Sequence, residues 1–339
     1  MSRTLREALR DRWFGDTTKY HYGVFRVLFV GGFFLAPFVL PLQATRLDVA
    51  RTMSAGTEAY TSPVLLLRLL HLPLSTDAGL AWLMLGLAIT AIVGVATRVS
   101  LIGVAALYLY LGSTANSYGF IAHDTTVPAL VLVVLAACPG VTSLSVDAWL
   151  RARGRGSANW TGRAARVAVW PARAVLVLLA LAYFASGYAK VKEAGWEWAN
   201  GTTLQAYLTD PQPAPYLIAD PDPSATSFRD GIGLESFAYS SGRPKQFAVE
   251  LAQHRSIMAT LSTVSLLWEL TFPLVLVSRR LLFPYLALGA VFHVTVALAF
   301  GLTSFYTYPL TYLMFVNWNA LWDRLDTIVH RPRRSAAVS

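Results

Sequence analysis

The chain has 339 residues, 55% apolar and only 14% charged, with a net charge of +9 and a mean hydropathy of +0.48. A soluble domain of that length needs more charge to solvate its surface, and the apolar residues fall in long blocks, which points away from a soluble protein. The basic residues sit in short runs beside those blocks, a pattern that suits membrane flanks better than nucleic-acid binding, and the single cysteine, Cys138, excludes an internal disulfide or a multi-thiolate metal centre.

In chain order, Met1–Lys19 is polar and Arg-rich with no apolar core, so no cleavable signal peptide is expected and residues 1–21 read as a basic interfacial segment. Lipid offers no hydrogen bond to a bare backbone, so each crossing must be a helix of about 20 mostly apolar residues. Such blocks lie at Tyr22–Leu42, Gly79–Ala96, Val99–Tyr118 and Thr125–Val141, then at Val167–Tyr188, Ile257–Val277, Leu281–Leu302 and Phe305–Leu321. Gly112 punctuates the third, the fourth is short, and Pro309 and Asn317 interrupt the last. The expected fold is an all-α integral membrane protein, a polytopic bundle of about eight transmembrane helices. It comprises a transmembrane domain at 22–321 and a basic tail at 322–339.

Orientation follows from the lysine and arginine bias of short flanks. Arg3, Arg6, Arg10, Arg12 and Lys19 precede the first block, Arg98 separates the second and third, and Arg151–Arg166 carries five arginines between the fourth and fifth. Arg279 and Arg280 separate the sixth and seventh, and Arg324, Arg331, Arg333 and Arg334 follow the last. With eight spans all five clusters fall on one side, so both termini are expected in the cytoplasm and the protein in the plasma or inner membrane. On the outer side, Pro63–Pro73 is too short to span and reads as interfacial. The extracytoplasmic loop 195–255 is rich in Pro and Asp and is expected to end in a helix near Pro244–His254.

A charge at membrane depth needs a partner, a route to water or a function. Glu269 and His293 sit at similar depth in two blocks joined by a tight turn, which makes them a candidate buried polar pair, either locking two helices together or serving a function. Arg26 is close enough to the inner face to snorkel, and Arg173 is similar. His123 and Asp124 open the fourth block, where Asp124 suits a helix N-cap. Tyr183, Ser186, Gly187 and Lys190 share one helical face, where small residues admit a neighbouring helix. Lys190 there either snorkels outward or, shielded, acts as a base. Tyr118, Phe120, Trp196, Trp198, Phe305, Tyr306 and Tyr308 suit either an interfacial belt or a flat lipid-soluble ring.

Several stretches form an ordered pattern: FRVLF around Arg26; Asn116, Ile121, Asp124, Cys138-Pro139-Gly140 and Ser145-Val146-Asp147; YFASGYAKVKEAGWEWANG around Lys190; and WELTFP with Glu269, followed by His293 and Phe305. From about Tyr22 to Trp318 this pattern resembles the HTTM (horizontally transferred transmembrane) domain family, best known from vitamin K-dependent γ-carboxylase. The resemblance implies a membrane lysine that deprotonates a reduced quinone (menaquinol or vitamin K hydroquinone), with Lys190 on that lysine and His123 near a supporting histidine. Tyr183, Gly187 and Trp196 would line the ligand, and no metal is expected. The carboxylases carry a large extracytoplasmic domain after the membrane core, whereas a short basic tail follows Trp318 here. Ile121 and Ala122 also stand before His123, without the family's Asn. Both departures weigh against carboxylation of peptide glutamates. Three functions follow as alternatives: a carboxylase-like, quinol-coupled enzyme; a non-catalytic factor for maturation, export or immunity of a small secreted peptide, as in the SdpB-like branch; and a transporter through Glu269 and His293.

Overall fold

A computed structural model of the chain describes residues 15–34, 65–75, 77–117, 126–157, 159–209, 242–300 and 303–329. Within them the fold is all-α apart from one pair of three-residue strands. Helix α1 (Lys19–Phe34) lies in the first apolar block, and a short α2 (Leu65–Leu69) lies in the interfacial stretch. Helices α3 (Ala78–Val93), α4 (Thr97–Ser117) and α5 (Thr126–Ala137) take the next three blocks, and α6 (Val146–Gly154) lies in the basic linker. Helix α7 (Trp170–Glu193) takes the fifth block and is followed by α8 (Trp196–Ala199), α9 (Thr202–Thr209) and α10 (Gly242–Ala252). Helices α11 (Arg255–Thr271) and α12 (Leu274–Val277) share the sixth block, α13 (Arg279–Phe300) forms the seventh, and α14 (Thr307–Tyr312) and α15 (Trp318–Val329) close the described chain.

Two helical stretches, Trp170–Glu193 and Arg279–Ala299, are long and apolar enough to cross a membrane by length and composition. Only 33% and 17% of their apolar windows are buried inside the protein, so their greasy faces point outward, unlike the core helix of a soluble domain. Two blocks are broken, the sixth where an unbroken span was expected and the last at the Asn317 interruption. Pro273, which has no N–H to donate, separates α11 from α12. The last block stops at Phe315: Val316 is extended, and the side chain of Asn317 accepts the N–H of Ala320 at 3.1 Å, so it starts α15 instead of continuing to Leu321.

One end of the bundle is tied by polar side chains to open carbonyls. Arg26 is fully buried, its Nη1 donating to Val141 O at 3.3 Å and its Nη2 to Leu144 O at 2.7 Å and Ile92 O at 3.4 Å. The snorkelling expected for this residue is therefore corrected. The carbonyls of a helix's last turn and of a tight loop have no helical partner, and the five-donor guanidinium satisfies them in place of water. Gly94 caps α3 in the left-handed region at φ +81°, and a Cβ there would meet Arg26 Nη1 at 2.7 Å. Arg98 serves α5 in the same way, donating to Ala136 O at 2.8 Å and Cys138 O at 3.0 Å. Asp147 caps the start of α4, accepting the N–H groups of Ala96 and Thr97 at 3.0 and 2.8 Å and the Thr97 hydroxyl at 2.8 Å.

Strand β1 (Asp16–Thr18) pairs antiparallel with β2 (Arg166–Ala168), placing Thr17 opposite Val167 at this same end. Thr18 donates to the Asn319 side chain at 3.0 Å, Tyr20 meets Trp322 edge-on, and Arg163 is ion-paired with Asp323. The described parts of the stretches bearing the basic clusters thus meet at one end. At the other, Tyr306 donates to Phe33 O at 2.6 Å and Tyr110 to Pro73 O at 2.6 Å. There α8, α9 and α10 cap α11: Gln205 donates to Ala252 O at 2.7 Å and Thr263 to Ala199 O at 2.9 Å, above a small cluster of Leu208, Ala248, Ala252, Met258 and Ala299. Helix α10 is the helix expected near Pro244–His254.

Partial burial opposes ionisation of Asp147, but the Thr97 and Ala96 donors outweigh it, and with the nearby Arg151 they hold its carboxyl below the ordinary carboxylate range. A depressed folded-state value means the stabilisation is present above the ordinary range and vanishes as the pH falls through the depressed value. Asp147→Asn is expected to cost roughly 1–2 kcal/mol at neutral pH. In thermal melts of detergent-solubilised protein, its deficit against the parent should shrink as the buffer is acidified. A pH-independent deficit would remove the carboxylate from this role.

Candidate functional site

Helix α7 is the axis of the site. Its 24 residues rise about 36 Å, from Trp170 beside the basic end to Glu193 at the other. The face bearing Tyr183, Ser186, Gly187 and Lys190 turns toward α11 and α13. A Cβ on Gly187 would stand 3.0 Å from Glu269 Cβ and 3.1 Å from the Leu270 backbone, so the bare glycine sets how closely α7 and α11 approach. That approach brings the Glu269 carboxylate under Lys190.

Lys190 Nζ lies 2.5 Å from Oε1 and 2.6 Å from Oε2 of Glu269, with side-chain exposures of 17% and 2% respectively. Ser186 completes a triangle, accepting from Lys190 Nζ at 2.9 Å and donating to Glu269 Oε1 at 3.1 Å. The ring of Trp198 sits 5.0 Å from Nζ, giving the ammonium an aromatic face as well as a carboxylate. Of the two readings open for Lys190, outward snorkelling does not describe this geometry: the amine turns back against α11. An ion pair withdrawn from water pays a large desolvation cost that its Coulomb attraction only partly offsets, so it is weak evidence for stability and a reason to look for function.

About 10 Å further along α7, toward the basic end, a second polar group is buried. The Tyr183 hydroxyl is hydrogen-bonded with His293 Nε2 at 2.8 Å and with the Tyr312 hydroxyl. The imidazole stacks on Tyr308 at 4.9 Å and on Phe305 at 5.9 Å, and those two rings also stack on each other at 6.0 Å. His293 Nδ1 is buried and has no hydrogen-bond partner among the described residues. Glu269 and His293, expected as a pair, do not hydrogen-bond each other; each bonds instead to α7, Glu269 to Lys190 and Ser186, His293 to Tyr183. Equal depth in neighbouring helices did not bring them together because α7 supplies a partner to each.

Gly187 is the contact point with α11, and Tyr183 is buried at 3% exposure with its hydroxyl engaged. Trp196 stands 77% exposed at the start of α8, and it is Trp198 that covers Lys190. The turn through Gly195, at φ +54°, starts a new helix there, so the α7 face cannot be extrapolated to the WEW stretch. Tyr312, bonded to Tyr183, and Tyr308, stacked on His293, were not anticipated in this group because they come from a block interrupted by Pro309. His123 and Asp124 lie outside the described residues.

Lys190→Ala is expected to destabilise the protein by about 3–5 kcal/mol, since it leaves the Glu269 carboxylate buried and unpaired. Lys190→Met combined with Glu269→Leu should recover most of that loss. Unfolding of both variants in the same detergent tests this; equal stability of the single and double variants would mean the carboxylate is not held by the lysine.

No family model, no curated protein and no solved structure matches the chain.

Proposed function

We propose that the chain is a multi-pass membrane protein of HTTM type whose Lys190–Glu269 pair is a proton-transfer site for a quinol-coupled, carboxylase-like reaction. The observation that carries this reading is the pair itself: an ammonium and a carboxylate within 2.6 Å, almost withdrawn from solvent, on helices whose other faces are apolar. Support for the multi-pass arrangement comes from the two long apolar helices, from the shorter helices in the other apolar blocks and from the basic flanks gathered at one end. Outward-facing residues such as Leu181, Phe184, Leu267, Val291 and Leu298, exposed by 43–63%, supply the lipid-facing surface.

The donor set suits a reduced quinone. A phenolic hydroxyl needs a proton acceptor and a cationic neighbour for the resulting oxyanion, and the pair offers both, while Trp198 offers a flat apolar face. When bound, the quinol would supply electrons and an acidic hydroxyl. For Lys190 to accept that proton, its own proton must first move to Glu269, 2.5 Å away, or along Ser186, which bridges the two. Glu269 thus sets the charge of the lysine, and Lys190 holds the developing anion. The bilayer and the packing of α8 against α11 keep bulk water from competing.

Protein purified from membranes is expected to carry menaquinone detectable by mass spectrometry. The Lys190→Met/Glu269→Leu variant, compared at matched folded content, should carry at least about tenfold less, the scale of losing one charged hydrogen-bonded contact. Equal quinone content in the two proteins would reject the site. Quinone-free protein that captures a small secreted peptide would favour the non-catalytic maturation factor.

A further inference from the structure

At the end of the bundle opposite Lys190 lies an open cleft of about 980 Å³, walled by β1, the linker before α7, and the starts of α7, α13 and α15. Four arginines line it, Arg163, Arg166, Arg173 and Arg279, against two aspartates, Asp16 and Asp323. Asp323 is already engaged by Arg163, and Arg163 also lies 5.9 Å from the Tyr20 ring and 5.7 Å from the Trp322 ring. Arg166 and Arg279 form no ion pair with a described residue and are exposed. Positive charge therefore exceeds negative within a space of ordinary small-ligand size.

The remaining wall is apolar. Leu282 and Phe283 follow Arg279 on the first turn of α13, and Phe283 is 62% exposed; Phe315 and Val316 face them from the break before α15. An aqueous anion has no use for such a wall, whereas a phospholipid presents a charged phosphate at one end and an acyl chain at the other. We infer that this cleft binds the phosphate of an anionic phospholipid, with Arg166 and Arg279 on the headgroup and Leu282 and Phe283 along the upper acyl chain. The shared chemistry is a phosphate group, and the apolar wall selects the lipid over the free ion. Basic pockets between helices at the cytoplasmic face suit anionic headgroups, which are enriched in that leaflet. The inference rests on the membrane reading but on nothing proposed for Lys190.

The test uses the full chain in detergent, titrated with phosphatidylglycerol, phosphatidylcholine or inorganic phosphate while the melting temperature is followed. Phosphatidylglycerol alone should raise it, and Arg166→Gln/Arg279→Gln should weaken that response roughly thirtyfold in concentration. Arg243→Gln, on α10 at the other end, should leave the response unchanged. An equal response to inorganic phosphate would overturn the lipid assignment, and an equal response to phosphatidylcholine, or an Arg166→Gln/Arg279→Gln variant that responds to phosphatidylglycerol as the parent does, would overturn the site. The membrane reading fails separately, if the chain is recovered in the soluble fraction without detergent.

Discussion

A single guanidinium holds the basic end of this protein together. Arg26 reaches from the first apolar helix to carbonyls at the end of α3 and in the turn that leads into α6. Those carbonyls would otherwise be buried without a donor, at a cost of about 1–3 kcal/mol each. Gly94 must remain bare for the guanidinium to fit, and Asp147, next along the same turn, caps α4 through three donors. The FRVLF and Ser-Val-Asp stretches are thus two halves of one clasp, and their spacing in sequence says nothing of that contact.

With that end fixed, the other elements align. The short β1–β2 ladder and the Arg163–Asp323 pair tie the chain before α1 to the linker before α7 and to α15. Helix α7 then runs the length of the bundle, carrying Lys190 to the far end. There Gly187 admits α11 closely enough for Glu269 to meet the lysine. A larger side chain at 187 would hold the helices apart and leave both charges without their partner. The two polar assemblies are separate: a buried pair at one end and an arginine-lined cleft at the other, joined by a helix about 36 Å long.

The two ends also differ in how they use charge. At the basic end most donors meet backbone carbonyls or aromatic faces, and the surplus faces an open cleft. At the Lys190 end one cation meets one anion directly, and the deeper Tyr183–His293–Tyr312 group is a hydrogen-bonded set among aromatic rings. A surface-exposed surplus recruits ligands by long-range attraction, whereas a dry pair changes state only when a proton moves.

The amino-acid pattern alone determined the helical class, the helices in the described parts of most apolar blocks, and the helical face that Tyr183, Ser186, Gly187 and Lys190 share. These follow from local rules: a 3.6-residue period and the need to satisfy backbone hydrogen bonds within the segment. Which side chains meet across helices was not legible. Arg26 looked like a residue bound for water and is buried on carbonyls, and Glu269 and His293 looked like each other's partners and bond to α7 instead. Trp198, not Trp196, covers the lysine because a glycine turn at Gly195 restarts the helix between Lys190 and both tryptophans. Such contacts depend on how far apart helices pack and how they are rotated, quantities set by the whole bundle at once and written in no local stretch of chain.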